Sequence, residues 1–304
     1  MNQSNRTARG CVALLGLLAC VSHAEETVTS PAIEIVGRAE LFAPDIASTE
    51  ASEVRLTFSA DGKRAAWFAR NRPGGAGSYD VWTSTRTADG WSTATPAPFN
   101  SAQRDFDPAF SADGRYLYFC SDRPGSLGGD DLYRVPVTAT GFGEPEHLGP
   151  EVNSAGNEWA PMLSGGGGTL LFASNGRGGA GRFDLFGARQ LANGSFAPAR
   201  PLPGDINTAA DEFDATFLAD GTTVVFARAA NLETDRIVLA AALLHNERYD
   251  AGVALPESVN APGQNTYGPM LDWSRPDQLT ISSQRPEARV GSADLYVVRY
   301  RLRE

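Results

Sequence analysis

The chain has 304 residues, 42% of them hydrophobic and 20% charged, which is a globular composition and excludes a disordered chain. Its formal charge of -10 argues against nucleic acid as a partner, since a phosphate backbone would be repelled. No apolar run reaches the roughly 20 residues that a helical membrane span requires.

The first segment differs from the rest. Arg6 and Arg9 precede the apolar run CVALLGLLACV, and Ser22-His23-Ala24 supplies small residues where a signal peptidase cuts, so residues 1 to 24 read as an export signal and 25–304 as one domain. The expected location is periplasmic or secreted. Leu17-Leu18-Ala19-Cys20 offers an alternative, a lipoprotein cleavage box that would leave Cys20 acylated and the domain tethered to a membrane. Without Cys11 and Cys20 the chain keeps Cys120 alone, so an intramolecular disulfide is not expected. Cys120 follows Phe119 in an apolar run and reads as a small buried hydrophobe.

From there on the sequence repeats. Tight-turn positions at Ser59, Ser111, Ser164, Leu218 and Asp272 are spaced by 52, 53, 54 and 54 residues, a period that marks a repeat architecture. Six places before each turn stands Glu53, Asp105, Glu158, Glu212 or, in the last copy, Thr266. After the turn, a second apolar strand ends in Phe68, Phe119, Phe172, Phe226 or Ile281. A third strand follows as DVW from Asp80, DLY from Asp131, DLF from Asp184, RIV from Arg236 and DLY from Asp294. A bend rich in Gly and aromatic residues leads to a fourth strand such as EPEHL, and a recurring Asn (Asn100, Asn153, Asn207, Asn260) joins one unit to the next. Four antiparallel strands repeated at this period describe a β-propeller blade.

The ends of the repeat array complement each other. The fifth copy stops after its third strand, DLYVVRYRL, whereas Ala32 to Ser48 aligns only with a fourth strand, Phe42 and Ile46 falling where Leu148 and Val152 fall in copy two. An N-terminal strand in the last blade would pair both otherwise open edges. The expectation is an all-β, five-bladed propeller with blades of about 50–104, 105–157, 158–211, 212–265, and 266–304 with 32–49; six blades is the alternative if the N-terminal segment holds more than one strand.

The run from Pro108 to Tyr133, PAFSADGRYLYFCSDRPGSLGGDDLY, resembles the TolB-like family of propellers with WD-like repeats, and the other four copies match it well or in part. The resemblance implies an envelope-associated scaffold or binding module with no catalytic residues of its own. It also implies a protein partner or an envelope glycan. The additional N-terminal domain expected of TolB itself is missing, and so is one blade.

In a propeller, the connections alternate between the two faces, so the Asn-Ser connections and the Arg-Pro-Gly loops should share one face and the Ser-Ala-Asp-Gly turns the other. Glu53, Asp105, Glu158 and Glu212 would then form an acidic ring near the channel mouth, able to take a cation such as calcium, a cationic ligand or a basic segment of a partner. The competing reading makes them scaffold, bonded to backbone N–H groups or to Arg72 or Arg123. Residues that break the repeat carry more functional information, namely Asp107, Asp214, Trp159 and Tyr267. His147 and His245 stand far apart in the repeat frame, and the Gly-rich loops precede strands, so neither a triad nor a phosphate loop is indicated. Catalysis is therefore not expected, with one alternative, glycoside hydrolysis by paired acids such as Asp105, Glu158 and Glu212. A monomer is expected.

Overall fold

The computed structural model describes residues 32–286 and 291–303 together with Met1, so the leader and Cys20 lie outside the described residues. Within them every regular element is a strand, and these form five antiparallel sheets, four built from consecutive stretches of the polypeptide and the fifth from its two ends. The innermost strands are Ser52–Phe58, Asp105–Phe110, Glu158–Leu163, Asp211–Phe217 and Thr266–Leu271. Each of these contacts the innermost strands of neighbouring blades, closing a five-bladed propeller around a central channel. No helix among the described residues is long and apolar enough to cross a membrane.

The inner two strands of each blade are covered on both sides by adjacent blades, so they lack the apolar-polar alternation of a half-exposed sheet. Asp105–Phe110 is buried at every position. Phe68, Phe119, Phe172, Phe226 and Ile281 recur at the same place on the second strand and are at most 3% exposed. Burial of each such side chain contributes on the order of 2 kcal/mol. Phe68 meets Phe106 of the next blade edge-on at 5.7 Å, one instance of how successive blades interlock.

The recurring Asn is a clamp. Asn153 Oδ1 accepts the Leu132 N–H at 2.7 Å while its Nδ2 donates to the Leu132 carbonyl at 3.1 Å. Asn100, Asn207 and Asn260 repeat this on Val81, Leu185 and Leu239. In the fifth blade the Ser48 hydroxyl takes the position, accepting the Leu295 N–H at 3.2 Å.

Ring closure follows the complementarity of the two ends. Ile33–Leu41 pairs antiparallel with Asp294–Leu302, from Ile33 opposite Leu302 to Leu41 opposite Tyr296. The Phe42 N–H then donates to the Leu295 carbonyl at 2.8 Å, just as Leu148 donates to Leu132 in blade 2. A single N-terminal strand thus completes blade 5, and the six-bladed alternative falls away. This outer strand is nine residues long, against two for Glu146–His147 or Arg200–Pro201 at the same place in other blades. The extra length adds backbone pairs at the one seam where the blade is not made from a continuous stretch of polypeptide.

Candidate ligand site at the channel mouth

The ring acids do not reach the channel. Glu53, Asp105, Glu158 and Glu212 are each fully buried, and each carboxylate turns back to the corner that precedes its own strand. Glu158 accepts the Ser154 N–H at 2.8 Å as well as the hydroxyls of Ser154 and Ser174. Glu212 accepts the Thr208 N–H at 2.9 Å and the Arg228 Nε at 2.8 Å. Asp105 holds Ser101 and Arg123, while Glu53 holds Thr49 and lies 3.8 Å from Arg72. The same arginines donate to a carbonyl of that corner: Arg72 to Ile46, Arg123 to Phe99 and Arg228 to Ile206. Burial pushes the Glu53 and Glu158 carboxyls up, and the hydrogen bonds from Thr49 and Ser154 oppose it. This geometry is that of a blade-corner brace, repeated because each blade needs one.

The channel is reached by the residue two places further on. In every blade the pairing of the first two strands slips by one residue, between Val54 and Thr57, Phe106 and Ala109, Trp159 and Met162, Phe213 and Thr216, and Tyr267 and Met270. The residue within each bulge has a left-handed backbone: Arg55 (φ 59°), Asp107 (51°), Ala160 (56°), Asp214 (47°) and Gly268 (60°). A bulge re-aims its side chain, and for a residue other than glycine the left-handed region costs about 1–2 kcal/mol. One column of the repeat therefore carries an arginine, two aspartates and two small residues. The small ones leave room for the arginine. The fully buried Arg55 guanidinium donates through Nη2 to the carbonyls of Ala160 at 3.1 Å and Pro161 at 3.2 Å, in blade 3.

On the long-loop side a cavity of about 490 Å³ opens at this level, a size suited to a small organic ligand. Asp107, Trp159, Asp214 and Tyr267 all line it, whereas the ring acids, Arg72 and Arg123 do not. Its wall is largely aromatic, with Phe68, Tyr79, Phe106 and Phe213 joining Trp159 and Tyr267. Trp159 stacks on Phe183 at 4.2 Å and donates its indole N–H to Asp130 at 2.8 Å, which fixes the ring plane. Arg104, held between Asp122 and Asp130, and Arg70, lying 5.0 Å over the Tyr79 ring, supply guanidinium groups at the rim.

Electrostatics separate the two deep acids from ordinary surface carboxylates. Burial first, and then repulsion from Asp214, pushes the Asp107 carboxyl up to about 8, so it holds its proton at neutral pH and can donate a hydrogen bond. Burial also raises Asp214, opposed by Arg55 and by the Gly268 N–H that donates to its Oδ2 at 3.0 Å. Behind Asp107 lies the Cys120 thiol, which burial raises well above its usual range, so this cysteine stays protonated. Tyr267 is pushed up to about 12 by burial and remains a neutral donor. Among the described residues no three His, Cys, Asp or Glu side chains gather as metal ligands would.

Solved structures sharing this architecture include BT0996 in an RGII complex, at a TM-score of 0.57 and 10% identity over 88% of this chain and 92% of that one. The likeness is one of fold. The α-L-arabinofuranosidase PaAbf62A from Podospora anserina, solved with cellotriose, matches at a TM-score of 0.50 and 12% identity, covering 89% and 97% of the two chains. TolB from Acinetobacter baumannii matches at a TM-score of 0.46 and 13% identity over 83% of this chain, which spans 55% of that protein's length. No protein-family model and no curated protein matches the sequence.

Proposed function

We propose that the chain is a glycan-binding propeller that takes a neutral sugar unit into its channel mouth, on the long-loop face. The observation that carries this reading is a cavity lined by six aromatic rings, with the carboxyls of Asp107 and Asp214 at its depth and Arg70, Arg104 and the exposed Glu233 at its rim. Aromatic faces cover the C–H faces of sugar rings, and planar charged groups take their hydroxyls in pairs. A cationic ligand or basic peptide suits the same cavity poorly. Its own lining carries two guanidinium groups, Arg70 and Arg104, beside the carboxylates of Asp214 and Glu233, and burial keeps Asp107 protonated. The reading also includes export, through the leader in residues 1–24, and an envelope or extracellular glycan as ligand.

A second reading, glycoside hydrolysis, has one specific observation in its favour. Asp107 and Asp214 both line the cavity, and burial together with the charge of Asp214 keeps Asp107 protonated, as a general acid must be. These two carboxyls, rather than the buried Asp105, Glu158 and Glu212, are the ones to test. The neighbours solved with cellotriose and as an RGII complex are propellers of this shape, and fold analogy adds nothing about residues.

Calorimetric titration with neutral xylo-, arabino-, cello- and galacto-oligosaccharides tests binding, with Trp159→Ala as the control. One of these sugars should bind, and the variant should weaken it at least tenfold. Failure of all of them, or binding indifferent to Trp159, overturns the proposal. Turnover of the bound sugar or its aryl glycoside, lost in Asp107→Asn and Asp214→Asn, would replace binding by hydrolysis.

A further inference from the structure

A second, larger cavity of about 740 Å³ lies on the opposite face, at the seam where blade 5 meets blade 1. The Asp61-Gly62 and Asp272-Ser274 turns line it, so it belongs to the short-turn side and is separate from the channel mouth. Four exposed arginines converge on it: Arg38, Arg86, Arg275 and Arg299. Among the described residues none of the four has a carboxylate within ion-pair distance, whereas Arg72, Arg104, Arg123 and Arg228 are all engaged with buried acids. On a protein of net charge -10 such a group of unpaired guanidinium ions requires a reason.

The closing strand explains how they meet. Its register is broken between Val36 and Glu40, where Gly37 has a left-handed φ of 78°, and this bulge falls at the cavity with Arg38 in it. Val36, on the same strand, stands opposite Arg299, which brings the two arginines to one rim. Blade 1 supplies Arg86, whose guanidinium lies 5.2 Å over the Trp91 ring and is thereby held flat. The floor is aromatic, Phe42 meeting Phe58 at 5.3 Å and Trp91 at 5.5 Å.

Three acids also face the cavity, Glu40, Asp61 and Asp272. Two of them are occupied within their own turns. Asp61 accepts the Ser59 hydroxyl at 2.6 Å and the Lys63 N–H at 3.0 Å, and Asp272 accepts the Ser274 N–H at 2.8 Å and its hydroxyl at 2.6 Å. The four arginines outnumber the three acids by one, and among the described residues none of their guanidinium groups is bonded to a carboxylate, so their forked donors can meet the carboxylates of a ligand. Flat apolar rings between them match a series of sugar rings that carries those carboxylates.

We infer that this seam groove binds a carboxylate-bearing glycan, an oligouronate segment, independently of whatever the channel mouth holds. The test is isothermal titration of the full-length protein with a trimeric oligouronate and with its methyl-esterified, uncharged form. The acid form should bind, the ester at least tenfold more weakly, and binding of the acid should weaken as salt rises. The double variant Arg86→Ser with Arg299→Ser, at two exposed positions and with circular dichroism as the check on its fold, should reduce affinity at least tenfold. Asp107→Asn and Trp159→Ala should leave it unchanged. Absence of binding, equal affinity for acid and ester, or indifference to the arginine pair would overturn the inference. So would equal binding of inorganic phosphate, which would make the groove a simple anion site, or of tetraglutamate, which would make it a docking site for acidic peptide.

Discussion

Replacing Asp107 by Asn separates the cost of burying this acid from every other term in stability. In the unfolded chain an aspartate has its ordinary value of 3.8, and in the folded propeller it rises to about 8. Between those values the native state binds a proton that the unfolded state has released, so stability falls as pH rises through this window. At 1.36 kcal/mol per unit the loss amounts to about 4 kcal/mol between pH 4 and pH 7, with roughly one more by pH 8. Asn has the same shape and no titration. The expectation is that Asp107→Asn and the parent differ little at pH 4, and that the variant becomes more stable by about 4 kcal/mol at pH 7. Urea unfolding followed by tryptophan fluorescence at pH 4, 5.5, 7 and 8.5 measures the difference, in which carboxylates that do not interact with Asp107 cancel. A difference that stays constant with pH, or that shrinks as pH rises, would refute the placement of Asp107 in a desolvated channel shared with another acid. If the variant is also inactive in ligand binding, the parent residue is one whose presence is unfavourable to folding and required by the site.

Glu212→Ala should act on stability alone. It strips a buried brace from Thr208 and Arg228, and the loss should be about 3–5 kcal/mol in urea unfolding; a smaller change than about 1 kcal/mol, or a change in channel-ligand affinity at a temperature where the protein is folded, contradicts the brace. Deleting Ile33–Leu41 should expose the edge of Asp294–Leu302 with Tyr296, Val298 and Tyr300 upon it, and light scattering after size exclusion should then show self-association. A monomer with unaltered melting temperature would contradict the closure.

The architecture was legible because a propeller repeats its own pattern. Turn, acid and aromatic columns recur at 52–54 residues, and two incomplete units at opposite ends fit together. The site was only partly legible. Asp107, Asp214, Trp159 and Tyr267 stood out as departures from the repeat, and all four line the channel cavity. Glu53, Asp105, Glu158 and Glu212 read as ring residues from the sequence because each stands six places before its turn. What strand counting misses is the bulge, which turns the second residue after each acid toward the axis while the acid itself faces the corner. Arg55 escaped notice for the same reason. In SEVRLTF it reads as an outward polar residue, and nothing in an arginine signals a left-handed backbone, which only Gly, Asn and Asp favour. Comparing the five residues of that one column, Arg55, Asp107, Ala160, Asp214 and Gly268, would have found it. Arg70 and Tyr79 are the paired ends of two strands and Arg104 lies in the corner before Asp105, positions whose residue type changes from blade to blade.

The pairing of Ile33–Leu41 with Asp294–Leu302 also fixes an order of events at the ribosome. Ile33–Leu41 has to wait for Asp294–Leu302, and until then the four blades between them can assemble in sequence while the ring stays open. Contacts between such distant parts of the polypeptide form slowly, because the intervening loop must be closed before they return anything. The ring can therefore close only once Asp294–Leu302 is present, and until then Ile33–Leu41 is a β-segment waiting for its partner.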